Sequence, residues 1–144
     1  MAKILVVEDN ALNIKLFCDL LTAHGHDAEA VTDSREALDA ARAFVPDLVI
    51  TDIQLPHISG LELIELLKAD PDLAHVPIMA VTAYAASGDE KRFRAAGAQA
   101  YVSKPISVVR FVESVSELLE IAGVPVDSAA GHGPGDDASA QEPT

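Results

Sequence analysis

The sequence predicts an α/β fold: a (βα)5 doubly wound sheet of five parallel strands with helices on both faces. Two observations favour it. Short β-branched apolar runs alternate five times with longer helical patterns. The runs ILVV, LVI and IMAV are apolar without alternation, which is typical of strands covered on both faces. The predicted strands are Ile4–Val7, Asp27–Val31, Leu48–Thr51, Ile78–Val81 and Ala100–Val102.

Helical periodicity occupies the segments between these strands. Apolar residues at the spacing of one helix face predict a core-facing stripe in the first, third and fifth helices. These stripes are Ile14, Phe17, Cys18 and Leu21; Leu61, Ile64 and Leu67; and Val108, Val112, Val115 and Leu119. Pro71 and Gly123 are expected to end the third and fifth helices. Asp33 and its neighbours are expected to cap the second helix, and Gly60 to provide an unusual backbone turn.

The length and composition predict one folded domain with a tail. The chain has 144 residues, close to one average domain. Residues 1–122 hold every strand and helix pattern. Residues 123–144 are rich in Pro, Gly, Ser and Ala and contain four acidic residues but no Lys or Arg. Such a segment buries too little apolar surface to offset its ordering entropy, so a disordered tail is predicted.

The charge and cysteine content narrow the function classes. A formal charge of −13 disfavours binding to a nucleic-acid backbone or to an anionic membrane surface. The single cysteine, Cys18, excludes an intramolecular disulfide and a thiolate metal site. The apolar runs are too short for a secretory signal or a membrane span, which predicts a cytoplasmic protein. The five histidines show no ligand spacing and are expected on the surface or in loops, and the basic cluster around Arg92 is expected to be solvated.

Polar residues lie just after the ends of four of the predicted strands. Glu8 and Asp9 follow the first, Asp52 the third, Thr82 the fourth and Lys104 the fifth. The carboxyl ends of parallel strands meet at one edge, where doubly wound folds bind ligands. Three carboxylates there repel one another unless a cation is present, and oxygen ligands suit Mg²⁺. A metal-assisted carboxylate is one nucleophile that can accept a phosphoryl group. Each residue alone could be a turn or cap residue, so the prediction rests on the joint pattern.

Four motifs in this order, VVEDN, TDIQLPHISG, VTAY and YVSKP, resemble the receiver domain of two-component response regulators. The resemblance spans residues 3–122. It implies a flavodoxin-like (CheY-like) sheet with strand order 2-1-3-4-5. Stretches such as EDNALNIKLFCDLL further resemble family members that regulate cell division as single domains. That likeness implies sensor histidine kinases as partners, a role in the cell cycle and recruitment to a cell pole.

The resemblance assigns roles to the strand-end residues. Asp52 would be the phospho-acceptor, Lys104 the phosphate-contacting cation, and Thr82 with Tyr101 the switch pair. Mg²⁺ would be held by Glu8, Asp9, Asp52 and the backbone carbonyl of Gln54. Glu8 stands where an Asp is frequent and is one methylene longer, so contact with the metal through water is expected.

Three further expectations concern the rate of phosphate loss and the Lys104 backbone. Gln54 and Tyr84 lie where family members control the access of water to the phosphorylated aspartate. Since Tyr84 is bulky, slow self-dephosphorylation is expected. The Lys104–Pro105 peptide bond is expected to be cis, because an X-Pro bond pays only about 0.5–1 kcal/mol for that isomer.

This pattern of strand-end residues fits some classes of function better than others. The first is a stand-alone receiver, catalysing only its own phosphorylation and dephosphorylation. It would signal through the fourth helix, fifth strand and fifth helix, with Ala85, Ala86, Tyr101 and Val109 as candidate contacts. A relay that passes phosphate to a histidine phosphotransfer protein is the alternative within the family. An Asp-nucleophile phosphatase is disfavoured, because it needs a second Asp for proton transfer at the position that Gln54 occupies. A flavin or nucleotide binder is also disfavoured. Such a protein needs a Gly- or Ser/Thr-rich loop after the first strand, and this chain has two acidic residues there.

Overall fold

Five parallel strands form one sheet in the order β2-β1-β3-β4-β5, which confirms the predicted fold class and strand order. The computed structural model describes residues 2–83, 89–104 and 106–121. The strands are β1 (Lys3–Val7), β2 (Asp27–Val31), β3 (Leu48–Asp52), β4 (Ile78–Thr82) and β5 (Ala100–Ser103). Their registers are parallel throughout, so all five carboxyl ends lie along one edge.

Five helices connect and follow the strands. They are α1 (Ala11–Ala23), α2 (Ala37–Phe44), α3 (Gly60–Ala69), α4 (Asp89–Ala96) and α5 (Val108–Ile121). None of the helices in the described part of the chain is both long and apolar enough to span a bilayer. The predicted tail, residues 123–144, and the residue expected to end α5 lie outside the described residues, so those expectations stay predictions.

The sheet separates two apolar layers. Along β1, Ile4 and Val6 face one layer while Leu5 and Val7 face the other, because successive side chains of a strand point to opposite faces. The first layer is completed by α1 and α5, the second by α2, α3 and α4. Strands β3 and β4 are buried along their whole length. The non-alternating runs therefore are, as predicted, strands covered on both faces.

Burial on α1 and α5 departs from the predicted stripes in a few positions. Val108 is 49% exposed, whereas Phe111 and Leu118, which the predicted stripe omitted, are buried at 0% and 3%. Phe111 stacks on Phe17 of α1 with ring centroids 5.2 Å apart. Cys18 is half-buried at the margin of the same layer. Which turn of an amphipathic helix meets the sheet depends on where the preceding loop delivers it, and periodicity alone does not define that position.

The cap expected for the second helix belongs to a shorter element. The Asp33 side chain accepts a hydrogen bond from the Arg35 backbone N–H, capping a 3₁₀ turn over Ser34–Glu36. The α-helix begins only at Ala37, and its capping position, Glu36, makes no side-chain cap. The tighter turn delivers Ser34 into the interior, where it is 1% exposed. The expectation was therefore right about the capping residue and wrong about the helix that it caps.

The prediction for Gly60 was wrong in its physical reason. The left-handed residue of this loop is His57, with φ 69°. Gly60 is required instead by space, because a Cβ there would overlap the backbone carbonyl oxygen of Asp52 and lie 2.6 Å from Ile53 Cα. Ser34 supports the loop around His57: its hydroxyl donates to the Pro56 carbonyl at 2.8 Å and accepts from the Ile58 N–H at 3.2 Å.

His26 precedes β2 and is half-buried, unlike His24, His57 and His75, which are exposed. Its Nδ1 is buried without a hydrogen-bond partner among the described residues. It borders a cavity of about 20 Å³ between α1 and α5, lined also by Leu21 and Val115. Burial lowers the pKa of His26, and the charges of His24 and the amino terminus lower it further.

We expect His26 to make the domain less stable in mild acid. Between the lowered pKa in the folded state and the ordinary value near 6.5, the unfolded chain binds a proton at His26 that the folded domain does not bind. Stability is therefore complete above the ordinary pKa and falls as the pH drops below it. Urea unfolding between about pH 7.5 and 5.5 should show a shallower loss of stability for His26→Phe than for wild type. His75→Phe, at an exposed position, is the control, and an equal change there would contradict the assignment to His26.

Candidate functional site at the carboxyl edge of the sheet

An acidic cluster lies where the strand order reverses, between β1 and β3. Glu8 follows β1, Asp9 comes next, and Asp52 is the last residue of β3. One carboxylate oxygen from each of the three lies within 4.8 Å of the others. Glu8 and Asp52 are buried, while Asp9 is exposed. The structure thus brings together the three carboxylates that the sequence placed at this edge.

Asn10, and not Asp9, caps α1. The Asn10 Oδ1 accepts hydrogen bonds from the backbone N–H groups of Leu12 at 2.9 Å and Asn13 at 3.1 Å. The simple structural explanation for a strand-end Asp, a helix cap, therefore applies to the neighbouring residue. The Asp9 carboxylate remains directed to the acidic cluster.

Lys104 connects the cluster to β5. Its Nζ donates to Glu8 Oε1 at 3.1 Å and to Asp52 Oδ2 at 2.9 Å. Its backbone N–H donates to the Thr82 carbonyl at 2.7 Å, which aligns the end of β5 with the end of β4. The ammonium group is largely enclosed, with 18% of the side chain exposed. Lys104 therefore lies where the sequence predicted a cation.

The electrostatics of the cluster are only partly balanced. Burial raises the pKa of Glu8, and the charge of Asp52 raises it further, against the opposing hydrogen bond from Lys104. Burial by itself would lower the pKa of Lys104, but its hydrogen bonds to Asp52 and Glu8 outweigh burial and raise the pKa. One ammonium group thus faces three carboxylates, and the site carries an excess of negative charge.

The donor set fits a hard divalent cation. All the candidate ligands are oxygens, and burial together with the charge of Asp52 raises the pKa of Glu8, so its anionic form is less stable here than in water. A divalent cation would offset that charge, and carboxylate oxygens are the ligands that Mg²⁺ prefers. The acidic cluster of Glu8, Asp9 and Asp52 could therefore hold a metal ion.

Gln54 makes a contact that the sequence did not predict. Its backbone N–H donates to Asp52 Oδ1 at 3.2 Å. Its side-chain Oε1 accepts from the Thr82 hydroxyl at 3.0 Å and from the Ala83 N–H at 3.4 Å. The sequence identified Gln54 and Thr82 as separate site residues, but no local signal pairs two side chains that are 28 positions apart.

Tyr101, the other predicted switch residue, lies away from the acidic cluster on β5. Its ring is half-buried and packs against Phe93 of α4, with centroids 5.4 Å apart. It borders a cavity of about 370 Å³ that Arg94 and Arg110 also line. Val109 on α5 is 64% exposed. The predicted site residues Tyr84 and Pro105, and the candidate contacts Ala85 and Ala86, lie outside the described residues, so the expectations for them, including the cis peptide bond, stay predictions.

The family profile of the response regulator receiver domain matches residues 4–116. The chain belongs to the response regulator receiver family. The polar-differentiation response regulator DivK of Brucella anthropi is 52% identical over 116 residues, which cover 81% of this chain and 94% of that protein. The DivK of Brucella ovis matches to the same extent. The receiver, a signalling domain, is therefore closely related to DivK, as the sequence motifs indicated.

Solved receiver domains share the fold. The receiver domain of a signal transduction histidine kinase from Syntrophus aciditrophicus is 31% identical with a TM-score of 0.77, covering 83% of this chain and 91% of that one. The receiver domain of the sensor histidine kinase PA1611 from Pseudomonas aeruginosa is 28% identical with a TM-score of 0.76, covering 83% and 98%. That structure holds a magnesium ion in its active site cleft.

Proposed function

We propose that this receiver accepts a phosphoryl group on Asp52 in a Mg²⁺-dependent reaction and signals through phosphorylation-dependent protein contacts. The donor would be a phosphohistidine on a sensor kinase or on a phosphotransfer protein. A carboxylate oxygen of Asp52 would attack phosphorus while the phosphorus–nitrogen bond breaks, and the histidine nitrogen would keep the electron pair. The observation that carries the proposal is the convergence of Asp52, Lys104 and two further carboxylates at one edge of the sheet.

Each residue of the site has a role that follows from its contacts. Asp52 is held from both sides, by the Gln54 N–H and by Lys104, so its oxygens are oriented before a donor arrives. The Lys104 ammonium is placed to offset negative charge on the transferring group, the kind of preorganised electrostatic stabilisation that lowers barriers. Glu8, Asp9, Asp52 and the Gln54 carbonyl would hold Mg²⁺. When bound, the metal would neutralise charge on the phosphoryl oxygens.

Both Glu8 oxygens already accept hydrogen bonds, one from Lys104 and one from the Asn10 N–H. This engagement supports the expectation that Glu8 contacts the metal through water. Asp9 and Asp52 are then the carboxylates proposed for direct contact.

The surface formed by α4, β5 and α5 is proposed to carry the output. Tyr101 connects it to the site, since it lies on β5 two residues before Ser103, which pairs with Thr82 in the register. The cavity beside Tyr101 offers a partner polar contacts, and the exposed side chain of Val109 offers an apolar contact. The 52% sequence identity to a polar-differentiation response regulator supports recruitment to a cell pole by partner kinases, and a role in cell-cycle control.

The proposal is tested by intact-protein mass spectrometry after incubation with acetyl phosphate and Mg²⁺. We expect wild type to gain the mass of one phosphoryl group, and Asp52→Asn to gain none, because the amide lacks the nucleophilic carboxylate. Omitting Mg²⁺ should suppress the adduct. Asp19→Asn, a change of one exposed carboxylate on α1, is the matched control and should label like wild type. An adduct of equal yield in Asp52→Asn would refute the assignment of the acceptor.

A further inference from the structure

A hydrogen bond joins the hydroxyl group of Thr82 to the side chain of Gln54. Thr82 is fully buried at the end of β4, and its hydroxyl donates to Gln54 Oε1 at 3.0 Å. The backbone N–H of Ala83 donates to the same oxygen at 3.4 Å, which is consistent with this orientation of the Gln54 amide. The Gln54 side chain therefore acts as an acceptor toward two consecutive residues of the same segment.

A phosphoryl group on Asp52 would compete for that proton. Phosphoryl oxygens on an ionised group are acceptors, and a threonine hydroxyl has a single hydrogen to donate. Thr82 can therefore donate to Gln54 or to the phosphoryl group, but not to both. The two bonds define two states of the site, and the structure shows the bond to Gln54.

Resting on the proposed phosphorylation of Asp52, we propose that Gln54 opposes the active state by holding the Thr82 hydroxyl. Gln54 is then a positioning residue whose side chain makes the change to the active state less favourable. This effect is separate from any control of water access to the phosphorylated aspartate. Gln54 is exposed, so its amide is solvated once Thr82 leaves, and the cost of switching is that of one net hydrogen bond. An equilibrium between two states shifts by the difference in their contacts, and removal of this bond weakens only the inactive state.

The test is the affinity for beryllofluoride, a phosphoryl mimic, measured by titration calorimetry in saturating Mg²⁺. Gln54→Met keeps the backbone carbonyl and similar length but removes the side-chain acceptor. We expect it to bind beryllofluoride about three- to tenfold more tightly than wild type, the equivalent of one net hydrogen bond. Gln54→Ala should shift the affinity in the same direction.

A double-mutant cycle shows whether the effect passes through Thr82. In a Thr82→Ala background, where the hydroxyl is absent, Gln54→Met should leave the beryllofluoride affinity unchanged. Because the Gln54 carbonyl is itself proposed to hold the metal, the affinities are compared at Mg²⁺ concentrations that saturate each variant. A role limited to water access would alter hydrolysis of the phosphorylated protein but not this affinity.

The outcomes separate this inference from the proposed function. Wild type that binds no beryllofluoride would overturn both. Beryllofluoride binding that Gln54→Met leaves unchanged or weakens would overturn the role of Gln54 and leave phosphorylation intact. An equal gain in the Thr82→Ala background would also overturn it, since the effect would then not depend on the hydroxyl.

Discussion

Gly60→Ala is expected to destabilise the domain by about 3 kcal/mol, although alanine is ordinarily the better helix former. Gly60 is the first residue of α3, and its N–H donates to the Ile53 carbonyl at 3.0 Å. An added Cβ would overlap the Asp52 carbonyl oxygen and lie 2.6 Å from Ile53 Cα, so the start of α3 must move away from β3. Both atoms belong to backbone in the sheet, which has little freedom to adjust. Urea unfolding measures the loss directly.

Gly25→Ala is the matched control for this substitution. Gly25 has φ 86°, but a Cβ there would meet nothing within 4 Å. That variant therefore carries only the backbone cost of a left-handed alanine, about 1 kcal/mol. A loss at Gly60 no larger than the loss at Gly25 would mean that the clash is relieved cheaply.

Lys104→Met should produce the second large effect, on stability and on phosphoryl acceptance together. The ammonium group is hydrogen-bonded to Glu8 and Asp52, and Glu8 is 1% exposed. Removing one partner of a buried ion pair leaves an uncompensated charge, which costs about 3 kcal/mol. The rate of labelling by acetyl phosphate should fall on the order of 10²-fold, as when one preorganised charge-stabilising group is lost. Urea unfolding and time-resolved mass spectrometry measure the two effects.

Mg²⁺ supplies an independent readout for this variant. Because the acidic cluster then lacks its ammonium group, saturating Mg²⁺ should stabilise Lys104→Met by more than it stabilises wild type. Lys15→Met is the control: its ammonium pairs with Asp19 on the exposed face of α1, where removal of an ion pair has little effect. Wild-type labelling by Lys104→Met would contradict the role proposed for this cation.

The strands and the site residues were predictable because their signals are local. A strand covered on both faces must be a short apolar run, as ILVV in β1 shows, and the residue after such a run must lie at the carboxyl edge. Glu8, Asp9, Asp52, Thr82 and Lys104 were identified in this way. The structure brings the three carboxylates and Lys104 into one cluster, and it places Thr82 beside them through Gln54.

The sequence-based predictions were wrong where the role of a residue depends on atoms that are far away along the chain. The sequence offered no means of distinguishing a glycine needed for φ from one needed for space, and Gly60 is of the second kind because β3 passes beneath it. Likewise, Ser34 is buried because its hydroxyl meets the loop at Pro56 and Ile58, which lie 22 and 24 positions away. Chain periodicity contains no information about such neighbours.

The sequence by itself determined the fold class, the strand order implied by its family motifs, and the chemical types that gather at the edge of the sheet. The tertiary structure alone decided how those groups pair: Lys104 with Glu8 across 96 positions, and Gln54 with Thr82 across 28. The physical reason is that hydrophobic pattern is a property of consecutive residues. A hydrogen bond between side chains instead depends on distances of a few tenths of an ångström, which are set only when strands from different parts of the chain pack side by side.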